Sequence, residues 1–383
     1  MVGKDYILVD IIVVRTANSI IYDPRVQKII SSLCKKYSII ALGWNRDGVP
    51  QEKINNYFAK LELFKLKTSV WKPSLVRIFT RLLIFFPPFW MWVLIKLFIY
   101  RPKVVHACDL DSILPCYIYK ILFRKKLVFD VFDRYAMALI PARFKRLYSL
   151  INFFEEFFSE HSDALIVAGG EKVLRTLKKK PKHFAVVMNC PQDYFINNEK
   201  SKPQENDDNF KLVYTGGIRK DRALESVAEA IRELKSINFV IAGPIIDKEV
   251  LHKMQQLQSV TYQGLLPPIK ALSLEASSDI LVAFYSPQIL WNNLTLPNKL
   301  FEAMMCGVPI ITNIAHEIVN ETGCGIIVEY DNVGQLKETI IKLRDDPNLR
   351  KRLGENGRKA FLEKYNWDIM EQRLYKIYGY LIK

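Results

Sequence analysis

Short apolar runs rich in β-branched residues recur along this sequence, each separated from the next by a stretch of helical spacing, and few folds accept that pattern. Residues 7–14 (ILVDIIVV), 38–42 (SIIAL), 103–107 (KVVHA), 126–131 (KLVFDV), 164–168 (ALIVA) and 185–188 (AVVM) read as strands. Between the first two, Asp23-Pro24 supplies a cap and a first-turn proline, and Val26, Ile29, Ile30 and Leu33 share one helical face. Strands that are apolar on both faces and alternate with helices predict a mainly parallel sheet.

The alternation breaks once. Residues 197–209, NNEKSKPQENDDN, contain no aliphatic or aromatic side chain apart from the proline ring and read as a linker. Strands then resume at 211–216 (KLVYTG), 237–243 (INFVIAG), 260–264 (VTYQG), 280–285 (ILVAFY), 308–312 (VPIIT) and 325–329 (GIIVE). The expected fold is therefore α/β, with two Rossmann-like doubly wound domains facing a central cleft that is the natural ligand site. The expected boundaries are 1–196 for the first domain, 197–209 for the linker and 210–365 for the second domain. A C-terminal helix, 366–383, is expected to pack across the domains through Met370, Leu374, Ile377 and Leu381.

Half of the 383 residues are hydrophobic, which excludes a largely disordered chain, and the net charge of +15 favours anionic partners. The basic residues are dispersed and no nucleic-acid recognition motif stands out, so nucleic acid is not an expected partner. None of the six cysteines forms a CxxC pair, which argues for buried reduced thiols. With no signal peptide before the first strand, a cytoplasmic location is expected.

Residues 82–100, LLIFFPPFWMWVLIKLFIY, carry Lys96 as their sole charge. A membrane span, a buried core helix and a monotopic membrane surface are the three readings. Pro87-Pro88 argues against the span. For the surface reading, Trp90, Trp92, Phe98 and Tyr100 would enter the headgroup region, and Lys65, Lys67, Lys72, Arg77, Arg81, Arg101 and Lys103 would meet anionic lipid.

Two segments carry chemistry. In 296–311, LPNKLFEAMMCGVPII, a turn ending at Asn298 leads into a helix through Lys299, Leu300 and Glu302. A helix N-terminus offers N–H groups to a diphosphate, and a carboxylate one turn further in can accept both ribose hydroxyls. An ordinary helix with a solvated Glu would look the same. In 213–224, VYTGGIRKDRAL, a strand runs into Gly216-Gly217 and then Arg219, Lys220 and Arg222, a second anion-ready loop in the same half. Together the two loops favour a nucleotide, with its base placed near Gly243 and Gly264.

GGIRKDRALESVAEAI, IAGP at 241–244 and PNKLFEAMMCGVPII, in that order, resemble the donor-binding half of family 4 glycosyltransferases of the GT-B fold. YDPRVQKIISSL at 22–33, VVHACDLDSILP at 104–115, LVFDVFDRY at 127–135 and MNCP at 188–191 resemble the acceptor half. The resemblance implies retaining transfer of a sugar from a nucleotide-sugar, with no cofactor and no metal. It matches Glu302 to the ribose-binding Glu, Arg222 to the diphosphate-binding basic residue and Gly216 to the loop glycine. The sequence departs from the family in three places. Leu294 stands where the sugar-contacting Glu is expected, Gly217 replaces an Arg of the basic loop, and Phe132-Asp133 replaces a His and its acidic neighbour. Asn292 or Asn293, and Arg219 or Lys220, are the nearest substitutes for the first two.

His106 ends the strand VVHA; it reads either as a structural strand-end residue or as a functional group facing the cleft. Asp133 is the candidate polar or basic group near an acceptor hydroxyl. Asp109-Leu110-Asp111 spells the DxD of metal-dependent glycosyltransferases, but every nucleotide signal lies in the other half, so no metal is expected. The reading is a peripheral glycosyltransferase on the inner face of the membrane, using a lipid-linked or glycan acceptor. A non-catalytic nucleotide-sugar-binding scaffold and a GT-B epimerase are its rivals.

Overall fold

A computed structural model of the chain describes residues 9–16, 20–46, 60–66, 84–140, 143–195 and 209–382. The chain divides into two compact units, Met1–Val187 with Glu371–Lys383, and Met188–Met370. Each is built on a parallel sheet, as the alternation predicts.

The first unit begins with β1 (Ile11–Arg15), α1 (Pro24–Cys34), β2 (Ile39–Trp44), β3 (Lys60–Phe64), α2 (Phe86–Tyr100), β4 (Val104–Cys108) and α3 (Leu110–Phe123). It continues with β5 (Lys126–Val131), α4 (Tyr135–Leu139), α5 (Lys145–His161), β6 (Ala164–Val167), α6 (Gly170–Thr176) and β7 (His183–Val186). The sheet order is β3-β2-β1-β4-β5-β6-β7. β1 pairs in parallel with β2 and β4, Ile11 facing Ile39 and Val104, and its whole length is buried. Asp23 caps α1 by accepting from the Val26 N–H (3.3 Å), with Pro24 in the first turn. The chain leaves β1 toward β2 on one side and later returns to add β4 on the other. The carboxyl ends of β1 and β4 thus form a topological switch point.

β3 escapes the sequence pattern. KLELF mixes charged and apolar residues, and it sits at the sheet edge, where a strand needs less apolar surface. The linker assigned to 197–209 lies outside the described residues except for Asn209.

Pro87 and Pro88 do not break a helix. They stand in the first turn of α2, where the missing N–H has no intrahelical partner to lose. The 15 residues of α2 span about 22 Å at 1.5 Å each, short of a bilayer core of about 30 Å. Among the described residues no helix is long and apolar enough to cross a membrane. Phe86, Phe89, Val93 and Leu97 face the core, whereas Met91, Ile95, Phe98 and Ile99 are exposed. The four aromatic residues named for the surface reading sit in different surroundings. Trp90 donates to the Asp111 carbonyl (2.8 Å), Trp92 packs on Phe64 and Phe89, and the Tyr100 hydroxyl bonds Glu62, so these three are part-buried, whereas Phe98 is exposed.

The second unit contains β8 (Phe210–Thr215), α7 (Leu224–Ile231), β9 (Ile237–Ala242), α8 (Lys248–Met254), β10 (Val260–Tyr262), α9 (Pro268–Ala276) and β11 (Ile280–Ala283). There follow α10 (Asn298–Cys306), β12 (Ile310–Thr312), α11 (His316–Thr322), β13 (Gly325–Ile327), α12 (Val333–Asp345) and α13 (Pro347–Glu363). Its order β10-β9-β8-β11-β12-β13 places a switch point between β8 and β11. The division between the units falls within α14 (Trp367–Leu381). Of the apolar positions expected there, Met370, Leu374 and Ile377 are buried.

Candidate functional site

The second unit assembles most of the predicted residues at the carboxyl ends of its strands. Loops after β8, β9 and β10 are joined backbone to backbone: Gly216 N–H donates to the Ala242 carbonyl and Gly243 N–H to the Gly264 carbonyl, both at 2.8 Å. Gly243 (φ 142°) lies so close to Gly216 that only glycine fits. The requirement at 243 therefore comes from the neighbouring backbone.

The three basic residues of the next loop part company. Arg219 pairs with Asp221 (2.8 Å) and Lys220 with Glu249 (2.8 Å), their side chains 45% and 64% exposed, whereas Arg222 is 17% exposed. Arg222 pairs with Asp221 (2.7 Å) and lies over the Tyr285 ring, 4.2 Å from its centroid. Ser286 N–H donates to the Asp221 carbonyl (3.0 Å), which pins this turn to the end of β11. Arg222 is thus the basic side chain that the fold keeps at the switch point.

α10 enters beside it. Pro297 precedes the helix without a side-chain cap, and Asn298 is exposed, its side-chain Oδ1 accepting from the Asn189 amide (3.1 Å). Leu300 is wholly buried and its N–H bonds the Pro297 carbonyl (3.0 Å), which makes it a core residue of the turn rather than a ligand contact. Lys299 bridges Glu302 and Glu275, the latter at 2.7 Å. Glu275, on α9, is completely buried and also accepts from the Thr215 hydroxyl. Burial, reinforced by Glu302 and opposed by Lys299, pushes its carboxyl up to about 7. Tyr285 has its phenol raised by burial, against the pull of both Arg222 and Lys299, so the two predicted loops act on one place.

Asn292 donates to the Ser286 carbonyl (2.8 Å) and holds its own loop, while Asn293 is exposed beside Leu294. Gly217 and Gly264 line the same strand ends; a Cβ at Gly264 would meet nothing within 4 Å, though its φ of 77° favours glycine.

The first unit holds a buried charge network at its own switch point. Arg15, ending β1, pairs with Asp23 (2.9 Å) and Asp109. The other Asp109 oxygen accepts from the Phe132 (2.8 Å) and Asp133 (3.4 Å) N–H groups, so the DxD-like Asp109 is occupied by protein donors. Its left-handed backbone (φ 66°) is held by these bonds. Phe132 lies between two guanidiniums, 4.4 Å from Arg15 and 4.8 Å from Arg25. His106 is fully buried, its Nδ1 2.7 Å from the Tyr378 hydroxyl and its Nε2 3.3 Å from Asp130, which Arg25 also binds (2.7 Å). Of the two readings of His106, this geometry is that of a strand-end residue locked in place. Asp133 is exposed at the end of β5.

Arg15, Arg25, Thr215, Glu275 and Tyr285 were missed from sequence. Arg15 and Arg25 are gathered by the strand order of the first unit, and Thr215, Glu275 and Tyr285 by that of the second; Glu275 within LSLEASSD carries no motif.

Residues 195–360 match the family model of glycosyl transferases group 1. An uncharacterized glycosyltransferase of Methanocaldococcus jannaschii is 26% identical over 198 residues, 49% of this chain and 49% of that protein. A GDP-mannose-dependent monoacylated alpha-(1-6)-phosphatidylinositol monomannoside mannosyltransferase of Corynebacterium glutamicum is 39% identical over 79 residues, 20% of each. The chain thus spans about half the length of the first of these relatives, and less of the second. Among solved structures, Anabaena HepE in complex with UDP aligns at a TM-score of 0.73 with 14% identity, covering 97% of this chain and 100% of that one. The fold is GT-B, with two Rossmann-like parallel-sheet units.

Proposed function

We propose that the protein is a retaining, metal-independent glycosyltransferase of family 4 type, moving a sugar from a nucleotide-sugar to a lipid-linked or cell-surface glycan precursor. The observation that carries this reading is the convergence of Arg222 and the Lys299–Glu302 start of α10 on Tyr285 at the switch point of the second unit. Arg222 neutralises the diphosphate as it leaves, the start of α10 adds its N–H groups, and Glu302 accepts the ribose hydroxyls. The departing phosphate oxygen assists the incoming hydroxyl. In the first unit Asp133 is the candidate polar group for an acceptor, and His106 holds β4 through Tyr378 and Asp130. HepE, with its bound UDP, and the mannosyltransferase, with its lipid acceptor, support donor and acceptor class respectively.

The acceptor reading extends to a peripheral position on the inner, cytoplasmic face of a membrane. Exposed Met91, Ile95 and Ile99 of α2 continue onto Leu122 and Phe123 of α3, joined by the Phe98–Phe123 ring contact at 5.0 Å. Exposed Arg101, Arg124 and Lys126 border this apolar face, a combination suited to anionic lipid. The test is incubation of the purified protein with source membranes and radiolabelled UDP-, GDP- and ADP-sugars. Label in the lipid extract from one donor supports transfer; saturable donor binding with no transfer from any donor supports the scaffold reading, with Leu294 as its cause.

A further inference from the structure

Beside the proposed donor site, Glu275 is a buried carboxylate that the proposed chemistry leaves unused. Its Oε1 accepts from Thr215 and Lys299, while Oε2 is enclosed with no hydrogen-bond partner. Lys299 is shared between this carboxylate and Glu302, so two acids hold one ammonium at the mouth of the donor site. The other ionisable groups around the cluster are Tyr214 on β8, Tyr285 after β11, and Arg222 with Asp221 on the turn before α7. With both acids ionised, the three-residue cluster carries a net negative charge where a diphosphate would arrive.

Resting on the donor site proposed above, we infer that Glu275 is a positioning residue that takes up one proton from solvent when a nucleotide-sugar binds, freeing Lys299 to turn toward the diphosphate. The proton goes to the unpartnered Oε2, and no other bond forms or breaks. A second negative group near a buried carboxylate favours its neutral form, and Glu275 already titrates near neutrality because it is buried. Protonation ends the ion pair with Glu275 and leaves Glu302 as the sole carboxylate facing Lys299 in the cluster. Donor affinity is therefore highest below the carboxyl's pKa in the free protein and falls as pH rises through its pKa in the complex.

The experiment is calorimetric titration of UDP-, GDP- and ADP-sugars, whose esterified diphosphates do not titrate near neutrality, in buffers of differing protonation enthalpy. The wild-type protein is expected to take up a fraction of a proton. Its affinity should weaken by about tenfold, between about pH 6 and about pH 8, for each unit by which the donor raises the carboxyl's pKa. Glu275→Gln keeps the acceptor for Thr215 and Lys299 and should show neither effect. Wild-type binding without proton uptake, or uptake that persists in Glu275→Gln, overturns the inference while leaving the donor site intact. Failure of every nucleotide-sugar to bind overturns the donor site and the inference with it. If Glu275→Gln does not fold, Thr215→Val replaces it: loss of that hydroxyl should move the midpoint upward, and an unmoved midpoint overturns the inference.

Discussion

A Cβ placed on Gly243 would lie 2.0 Å from the carbonyl oxygen of Gly216. The loops after β8 and β9 meet there backbone to backbone, and the Lys220 N–H adds a bond to the Asp247 carboxylate (3.0 Å), so the lack of a side chain at 243 is one of the features that positions the loop carrying Arg222. Gly243→Ala must push the two loops apart and also adopt a backbone angle unfavourable to alanine. The expected cost is about 3 kcal/mol of stability in the second unit, together with loss of donor binding. Thermal melting followed by circular dichroism checks it; a wild-type melting curve would refute the close approach.

The basic loop makes a sharper prediction because its three cations lie in different surroundings. Arg219 and Lys220 are solvent-exposed ion pairs, whereas Arg222 is held against Tyr285. Arg222→Ala should weaken donor binding and lower turnover by about 100-fold, the scale of losing one well-placed charge-stabilising group. Arg219→Ala and Lys220→Ala should each change either quantity less than about threefold. Steady-state kinetics on the three variants, with calorimetric donor affinities, distinguish the roles. Equal losses would mean that the loop rearranges around the diphosphate.

The parallel sheets were legible because buried strands such as IIVVR and KLVFDV are apolar on both faces. The edge strand KLELF was not, since its environment asks less of its residues. At the site, motif and topology divided the work. Arg222, Lys299 and Glu302 stand out in sequence because anion-ready loops have a recognisable composition. Glu275 and Tyr285 do not, because what places them there is the β8–β11 adjacency, which no local pattern encodes. His106 shows the converse limit: a strand-end histidine looks available in sequence, but the side chain that covers it, Tyr378, comes from 272 residues further along the chain.

The membrane reading predicts separable apolar and electrostatic parts. Ile95→Ser and Ile99→Ser alter exposed side chains of α2 and should leave melting unchanged. Together they remove two anchors that would each bury most of a side chain in lipid, worth about 1.5 kcal/mol or more apiece, so binding to anionic vesicles should fall at least tenfold. Raised salt should weaken the wild-type interaction further by screening Arg101, Arg124 and Lys126. Flotation assays with phosphatidylglycerol-containing and neutral vesicles measure both parts. Equal recovery of wild type and double variant would remove α2 from the contact.

Glu275 also links stability to pH, and the sign follows from its position. Burial holds its folded-state pKa, about 7, well above the value of about 4.3 for an unfolded chain. The folded protein therefore binds this proton more tightly than the unfolded chain. The resulting stabilisation is complete below about pH 4.3 and is lost as pH rises through about 7. Glu275→Gln cannot ionise and loses nothing over that window. Its melting temperature relative to wild type should thus rise steadily between about pH 5 and about pH 8. A constant difference across the window would mean that Lys299 keeps the carboxylate ionised throughout, and that its burial is offset by the ion pair alone.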